Sequence, residues 1–356
     1  MQMTRDAGFS LVEVIVATAL TMSLTGVVVS LAAPGTTASP VLPEAIDLQQ
    51  RARVAADVMT QELSKAGAGL SSRPHFGPLV DSFAPVVPRR MGLSRPDAFA
   101  VARADAITIR YVPDSHAQST VSTFVPGPSS VANIVQGPGC PAQSSCGFST
   151  GADAFVFDRL GQAETFTLQQ VQAGIATLQR HDVAGFAFPP GASIAEAMSR
   201  TYYLDAAQRQ LRVYDGYQTD SPVVDGVAGL SFSYFGDPNP PSAPQPSLGS
   251  PNCLYDSIGR LDPSLVTLTS SGRALEPLPL SMFTDGPWCG TGDARYDADL
   301  LRVREIRVSL HLEAQASFRA QGVMFAHPGS ATAASRLLPD VQLTFDVTPR
   351  NVNLKR

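Results

Sequence analysis

The chain has 356 residues, 44% apolar and only 16% charged, against about 25% charged in ordinary soluble domains, which excludes a disordered solvating chain. Its 26 Lys and Arg are outnumbered by 31 Asp and Glu, for a formal charge of −5, so it lacks the basic footprint of a nucleic-acid binder. Five scattered His disfavour a histidine-built metal enzyme, while 28 Gly and 29 Pro point to a turn-rich, β-leaning protein.

The amino terminus carries the sharpest pattern. Met1 to Gly8 is short and polar, with Arg5 and Asp6, and is followed by an apolar run from Phe9 to Ala33. As a helix that run would measure about 37 Å, enough to cross a hydrocarbon core of ~30 Å. Pro34-Gly35 is expected to stop it. One acid, Glu13, interrupts the run near its start, and a carboxylate in that setting costs a few kcal/mol (roughly 3) unless it is paired. Cutting the chain between Gly8 and Phe9 would create an α-amine one helical turn from Glu13, a cation able to fix the axial register between packed helices. A plain secretory signal fits less well, because its apolar region is shorter and its leader carries net positive charge.

Gly8-Phe9-Ser10-Leu11-Val12-Glu13-Val14 resembles the cleavage and methylation motif of type IV prepilins and type II secretion pseudopilins. The resemblance implies a prepilin peptidase that cuts after Gly8 and methylates Phe9, and a Glu13 that pairs with the amine of a neighbouring subunit during assembly. It further implies other minor and major pilins or pseudopilins, an inner-membrane assembly platform and membrane lipid as partners. Asp6 cancels Arg5, whereas leaders of this family are usually basic.

Residues 34–43 read as a linker, and Glu44 to about Ala66 as an amphipathic helix with Leu48, Ala52, Ala55, Met59, Leu63 and Ala66 on one face. From about Ser71 the helical period disappears. Strands are expected at Ala106–Val112, Ala154–Phe157, Ala176–Gln179, Arg200–Leu204, Gln210–Tyr214, Leu230–Phe235, Glu305–Leu312 and Val341–Val347, with Arg200–Leu204 and Gln210–Tyr214 forming a hairpin. Between Asp237 and about Asp299 lies a Pro- and Gly-rich insertion read as a functional loop or surface excursion. The stem from Gln50 to Gly67, the hairpin, and the segments Val223–Phe235 and Val303–Leu312 are similar to PilW/PulJ-type minor pilins. The expected fold is therefore α+β and pilin-like: a leader (1–8), a transmembrane helix (9–33), the linker, an amphipathic stem helix (44–66), and a β-rich head (67–356).

Cys140, Cys146, Cys253 and Cys289 lie beyond the apolar run in loop-like sequence, an even count that suits disulfides with three open connectivities. Pairing Cys140 with Cys146 and Cys253 with Cys289 closes one loop each. Asp293, Asp297 and Asp299 cluster before a strand and offer oxygen ligands to calcium, but without the loop pattern of a dedicated site they read better as a solvated turn. Gly147-Phe148-Ser149-Thr150-Gly151 matches a nucleophile-elbow pattern without the strand-before, helix-after context that chemistry needs. The five histidines share no local motif. The sequence expectation is thus a non-catalytic minor pilin without a cofactor, held in a bacterial inner membrane with a periplasmic head and then built into a pilus near its tip. Two alternatives stand beside it: a J-like pseudopilin of type II secretion, and a ligand-binding or adhesive module mounted on a pilin stem.

Overall fold

A computed structural model describes residues 10–38, 41–68, 83–112, 118–127, 129–135, 147–150, 152–158, 163–172, 174–180, 187–245, 251–269, 272–290, 295–314 and 338–353. The chain divides into two compact units, residues 1–50 with 313–341 and residues 51–312 with 342–356.

The first unit holds α1 (Leu11–Ala38) and the opening of α2 (Val41–Leu63). Contrary to expectation, α1 does not stop at Pro34 but runs four residues beyond it. A proline fixes a helical φ and removes one amide, so a helix can pass through it at the cost of one hydrogen bond. Helix α2 likewise begins at Val41 rather than Glu44. Pro43 then sits in the first turn, where a backbone amide has no intrahelical partner to lose, and Glu44 follows at the positive end of the dipole.

In the second unit, the remainder of α2 presents Ala52, Ala55, Met59 and Leu63 as a buried stripe at three- and four-residue steps. It gives way to a turn at Gly67, whose φ of +73° suits glycine and whose amide donates to the Arg110 carbonyl at 2.9 Å. Lys65 lies 5.9 Å from the Tyr111 ring centre, and Arg51 donates to the Asp225 carbonyl at 3.4 Å. The stem helix is thereby docked on the strands that follow.

Those strands are β1 (Val86–Val87), β2 (Ala106–Tyr111), β3 (Gln118–Val125), β4 (Ser129–Ile134), β5 (Asp153–Phe157), β6 (Ala163–Gln172), β7 (Ile175–Arg180), β8 (Ser193–Asp205), β9 (Gln210–Tyr214) and β10 (Asp220–Asp225). The order β8-β3-β4-β7-β6-β5 closes back onto β8, giving a six-stranded antiparallel barrel. Val121, Ile134, Phe166, Leu168, Leu178 and Ile194 fill its interior, so it is a packed core and not a channel. The barrel is absent from the sequence expectation. The far half of β8 leaves it and pairs with β2 on one edge and β9 on the other, carrying β1 and β10 at the margins.

A separate sheet runs β12-β11-β15-β16, from β11 (Val227–Gly236), β12 (Glu276–Leu278), β15 (Val303–Leu312) and β16 (Val341–Val347). Strict alternation puts Phe232, Tyr234, Ile306, Val308 and Leu310 in its core. The other face is polar: Arg307 grips Asp346 through two hydrogen bonds of 2.6 and 3.0 Å, and Ser309 meets Thr344 at 3.2 Å. Between β11 and β15 the insertion folds into β12, the two-residue strands β13 (Trp288–Cys289) and β14 (Tyr296–Asp297), and 3₁₀ turns at Leu280–Phe283 and Ala298–Arg302. Among the described residues its first part, up to β12, is irregular apart from a bridge between Tyr255 and Leu261, and its second part is ordered by these short elements. All eight expected strands occur, several of them longer, while β1, β3, β4, β6, β10, β12, β13 and β14 were not anticipated.

At the end of β11 the register shifts between Phe235 and Gly236, and a side chain on Gly236 would stand 2.2 Å from the Arg302 carbonyl oxygen and 2.7 Å from Leu278. Gly236→Ala is expected to destabilise the head by roughly 2–4 kcal/mol, since the obstacle is backbone that cannot step aside. Thermal unfolding of the full chain in detergent measures this. An unchanged melting temperature would mean that this corner is pliable.

Candidate functional site: the apolar helix, its acid, and the buried acids of the insertion

Leu11–Val29 is long and apolar enough to span a membrane, and none of it is buried among the described residues. Its hydroxyl groups are satisfied internally. Thr18 and Ser23 donate to the carbonyls of Val14 and Ala19 at 2.9 Å, and Thr21 and Thr25 to those of Ala17 and Thr21. A helix whose backbone and hydroxyl donors all find partners within itself is the form lipid tolerates.

Glu13 lies in the first turn. Its Oε2 accepts the Ser10 backbone N–H at 3.1 Å, and its own N–H donates to Ser10 Oγ at 3.2 Å. This reciprocal capping box quiets two orphan amides of the helix start. The S-x-x-E spacing of such a box is legible in the sequence at Ser10-Leu11-Val12-Glu13. Gly8 and Phe9 lie outside the described residues.

The second cluster lies in the insertion. The structure brings Asp297 and Asp299 together with Asp285, one carboxylate oxygen of each within 4.8 Å of the others. Asp293, the third acid expected there, lies outside the described residues. The solvated-turn expectation is corrected for Asp297 and Asp299, which are buried, 0% and 5% exposed; Asp285 is exposed. Asp297 caps the 3₁₀ turn: Oδ1 accepts the Asp299 N–H at 2.9 Å, and Oδ2 the Gly286 N–H at 2.6 Å. Asp299 meets Arg302 Nε at 2.6 Å. Arg302, wholly buried, also donates to the carbonyls of Pro238 at 3.3 Å and Val266 at 2.9 Å. That arginine was missed, although a lone cation in Leu300-Leu301-Arg302-Val303 is a signal for a buried pair.

Burial pushes Asp297 up to about 6, against the pull of its two amide donors, with Asp285 adding to the rise. Burial pushes Asp299 up to about 7, opposed by Arg302 and reinforced by Asp297 and Asp285. The trio carries oxygen donors of the kind calcium takes, but both oxygens of Asp297 serve amides and Asp299 serves Arg302. The arrangement reads as a structural clasp for the insertion.

A disulfide joins Cys253 to Cys289 inside the same segment, as expected. Cys140 and Cys146 lie outside the described residues. In the elbow-like motif, Gly147 adopts φ +82°, Phe148 is buried in the barrel core, Ser149 is exposed, and strand β5 follows where a helix would be required. His311 falls on β15; His75, His116, His181 and His327 lie outside the described residues.

Comparison with family models, characterised proteins and solved structures returned no match.

Asp297 and Asp299 bind protons more tightly in the folded chain than in the unfolded one. Their stabilising contribution is therefore complete below about pH 4 and is lost as pH rises through about 6 and 7. Asp105, held low by its hydrogen bonds to Arg103, acts in the opposite sense and outside that window. Melting temperature is expected to fall from about pH 5 to about pH 8, and Asp299→Asn to flatten that slope while lowering the whole curve by uncoupling Arg302. A flat wild-type profile would contradict it. The Cys253→Ser/Cys289→Ser double variant, opening a loop with a sequence separation of 36, is expected to lose about 3–4 kcal/mol by loop entropy, read by denaturant unfolding.

Proposed function

We propose that this chain is a non-catalytic minor pilin. It is made as a prepilin, cut after Gly8, methylated at Phe9, and held in a bacterial inner membrane with its head in the periplasm before it joins a type IV pilus near the tip. The observation that carries this reading is the combination at the amino terminus. A Gly-Phe junction stands four residues before a single acid, and that acid opens an apolar helix that none of the described residues covers. A helix left bare along its length needs lipid or other helices around it, and an acid at its start needs a cation that lipid does not supply. The neighbour's α-amine at Phe9 meets that need.

Support also comes from the stem: α2 is apolar on the side docked to β strands, the construction expected of a pilin stem and head. The pilus is preferred to the type II secretion pseudopilus because the head is bulky and carries the long insertion. A subunit of this size suits a tip or priming position better than tight helical repetition. A clasped insertion with a buried arginine and a disulfide favours a constructed lobe over a loose adhesive loop.

In a peptidase-competent host, the amino-terminal peptide of the membrane-extracted protein is expected to begin at Phe9 with one extra methyl group. Glu13→Leu is expected to leave processing intact and to remove the protein from sheared filaments. A chain that still starts at Met1, or one cut near Ala33, would overturn the reading.

A further inference from the structure

The sheets of the head end in edges of unequal kind. The barrel closes on itself and has none. Strand β1 is two residues long and β12 three, and β10 carries Pro222 with a register shift beside it, all features that blunt an edge. Strand β16 is the exception: seven residues, Val-Gln-Leu-Thr-Phe-Asp-Val, with no proline and no lysine. Side-chain bonds of Asp346 to Arg307, Thr344 to Ser309 and Thr348 to Glu305 hold it against β15 in one unbroken register. Among the described residues no strand pairs with its other edge. Its apolar cover is also incomplete, since Leu343 and Phe345 are only half-buried whereas Val308 and Leu310 on β15 are buried.

We propose that β16 is the contact through which two copies of this chain pair, edge to edge and antiparallel, about a two-fold axis at Thr344. The strand is complementary to itself in that arrangement. Gln342 falls opposite Asp346 of the second copy, Leu343 opposite Phe345 of the second copy, and Thr344 opposite its own equivalent. Opposite residues share a face, so each half-buried Leu343 gains an aromatic neighbour and the polar face stays polar. No like charges meet: Asp346, the one charged residue of the strand, faces a side-chain amide across the axis and keeps Arg307 on its own sheet. Neighbouring registers are worse. An axis at Leu343 sets Asp346 against Asp340 of the second copy, and an axis at Phe345 sets Val341 against Pro349, which has no amide to give.

The pair is closed. Two four-stranded sheets become one of eight, and the new ends are the β12 strands, too short to invite further growth. The pairing does not rest on the pilin reading. Within a filament of the proposed kind, subunits follow one another by rotation and advance in one direction, and no two-fold axis relates neighbours. The pair is therefore a form of the subunit held in the membrane before assembly.

The test uses the full chain in membranes and in detergent. Directly opposite side chains have Cβ atoms about 4.5–5.5 Å apart, close enough for mild oxidation to join two cysteines at the axis. The two Gln342 positions are offset by four residues along the pair, about 13 Å. Thr344→Cys is thus expected to give about tenfold more covalent dimer than Gln342→Cys, both substitutions falling at exposed positions. The wild-type chain is expected to sediment as a dimer in detergent, and Thr344→Lys, which sets two cations together at the axis, as a monomer. Equal cross-linking of the two cysteine variants, or none from Thr344→Cys, would overturn the proposal. So would a cross-link from Thr344→Cys to a different polypeptide, or a wild-type monomer. A Thr344→Lys chain that remains a dimer would overturn it too, by placing the association elsewhere, such as along the apolar helix.

Discussion

Strand β8 has to satisfy two sets of neighbours at once. Its first residues, Ser193 to Ala197, sit between β3 and β5 and close the barrel; its later ones, Met198 to Asp205, sit between β2 and β9 in the open sheet. Because side chains alternate with a period of two, a one-residue slip anywhere along the strand would turn both cores inside out together. The register is pinned where the two roles meet. Thr201 and Thr108 share a buried hydroxyl contact of 2.7 Å, and Thr108 is also hydrogen-bonded to the Arg89 carbonyl at 2.5 Å. On the opposite face Tyr202 is buried against the stem, where burial first and Glu62 second keep its hydroxyl protonated. Tyr203, back on the first face, donates to Asp220 at 2.6 Å, and the Arg90 guanidinium lies 4.6 Å from its ring centre. Barrel, sheet and stem are in this way parts of one cooperative arrangement.

The insertion depends on a second constraint of a different kind. A guanidinium taken wholly out of water is tolerated only if acceptors surround it, and Arg302 recruits them from residues far apart in sequence: Asp299, Pro238 and Val266. These bonds add to the burial of Leu254, Leu265, Leu278, Phe283 and Tyr296 in holding a proline-rich segment together. Arg304, two residues along, reaches Asp237 at 2.9 Å, so the first residue of the insertion is fastened to the strand that follows its last. The disulfide then limits what the middle of the segment can do.

How much of this was legible in the sequence follows from which interactions are local. The two helices were visible because apolar spacing and a lone acid are written in consecutive residues, though their ends moved: Pro34 was read as a breaker and Pro43 as the end of a linker, and both are helical. The strands β11 and β15 were visible for the same reason, as one polar and one apolar face alternate along each. Strands β3 and β6 were not, because Gln118-Ser-Thr-Val-Ser-Thr and Glu164-Thr-Phe-Thr-Leu-Gln carry little apolar weight and look like loop sequence. Barrel closure rests on the pairing of β5 with β8, a relation that no window of the sequence contains. In the acid cluster, Asp297 and Asp299 were found by spacing, while Asp285 arrives only because the fold brings the Gly286 amide to Asp297.

The docking of α2 on β2 and β8 also bears on the order in which the chain is made. The stripe Ala52, Ala55, Met59 and Leu63 leaves the ribosome well before β2 and long before β8, so the surface that finally covers it does not yet exist. During that interval the stripe is a bare apolar ridge continuous in sequence with a segment that lipid accepts. The membrane surface is the nearest shelter for such a ridge, and a chaperone that recognises amphipathic helices is the other. Burial of that helix face therefore waits on strands made after it, with β8, the longest, among the last to arrive.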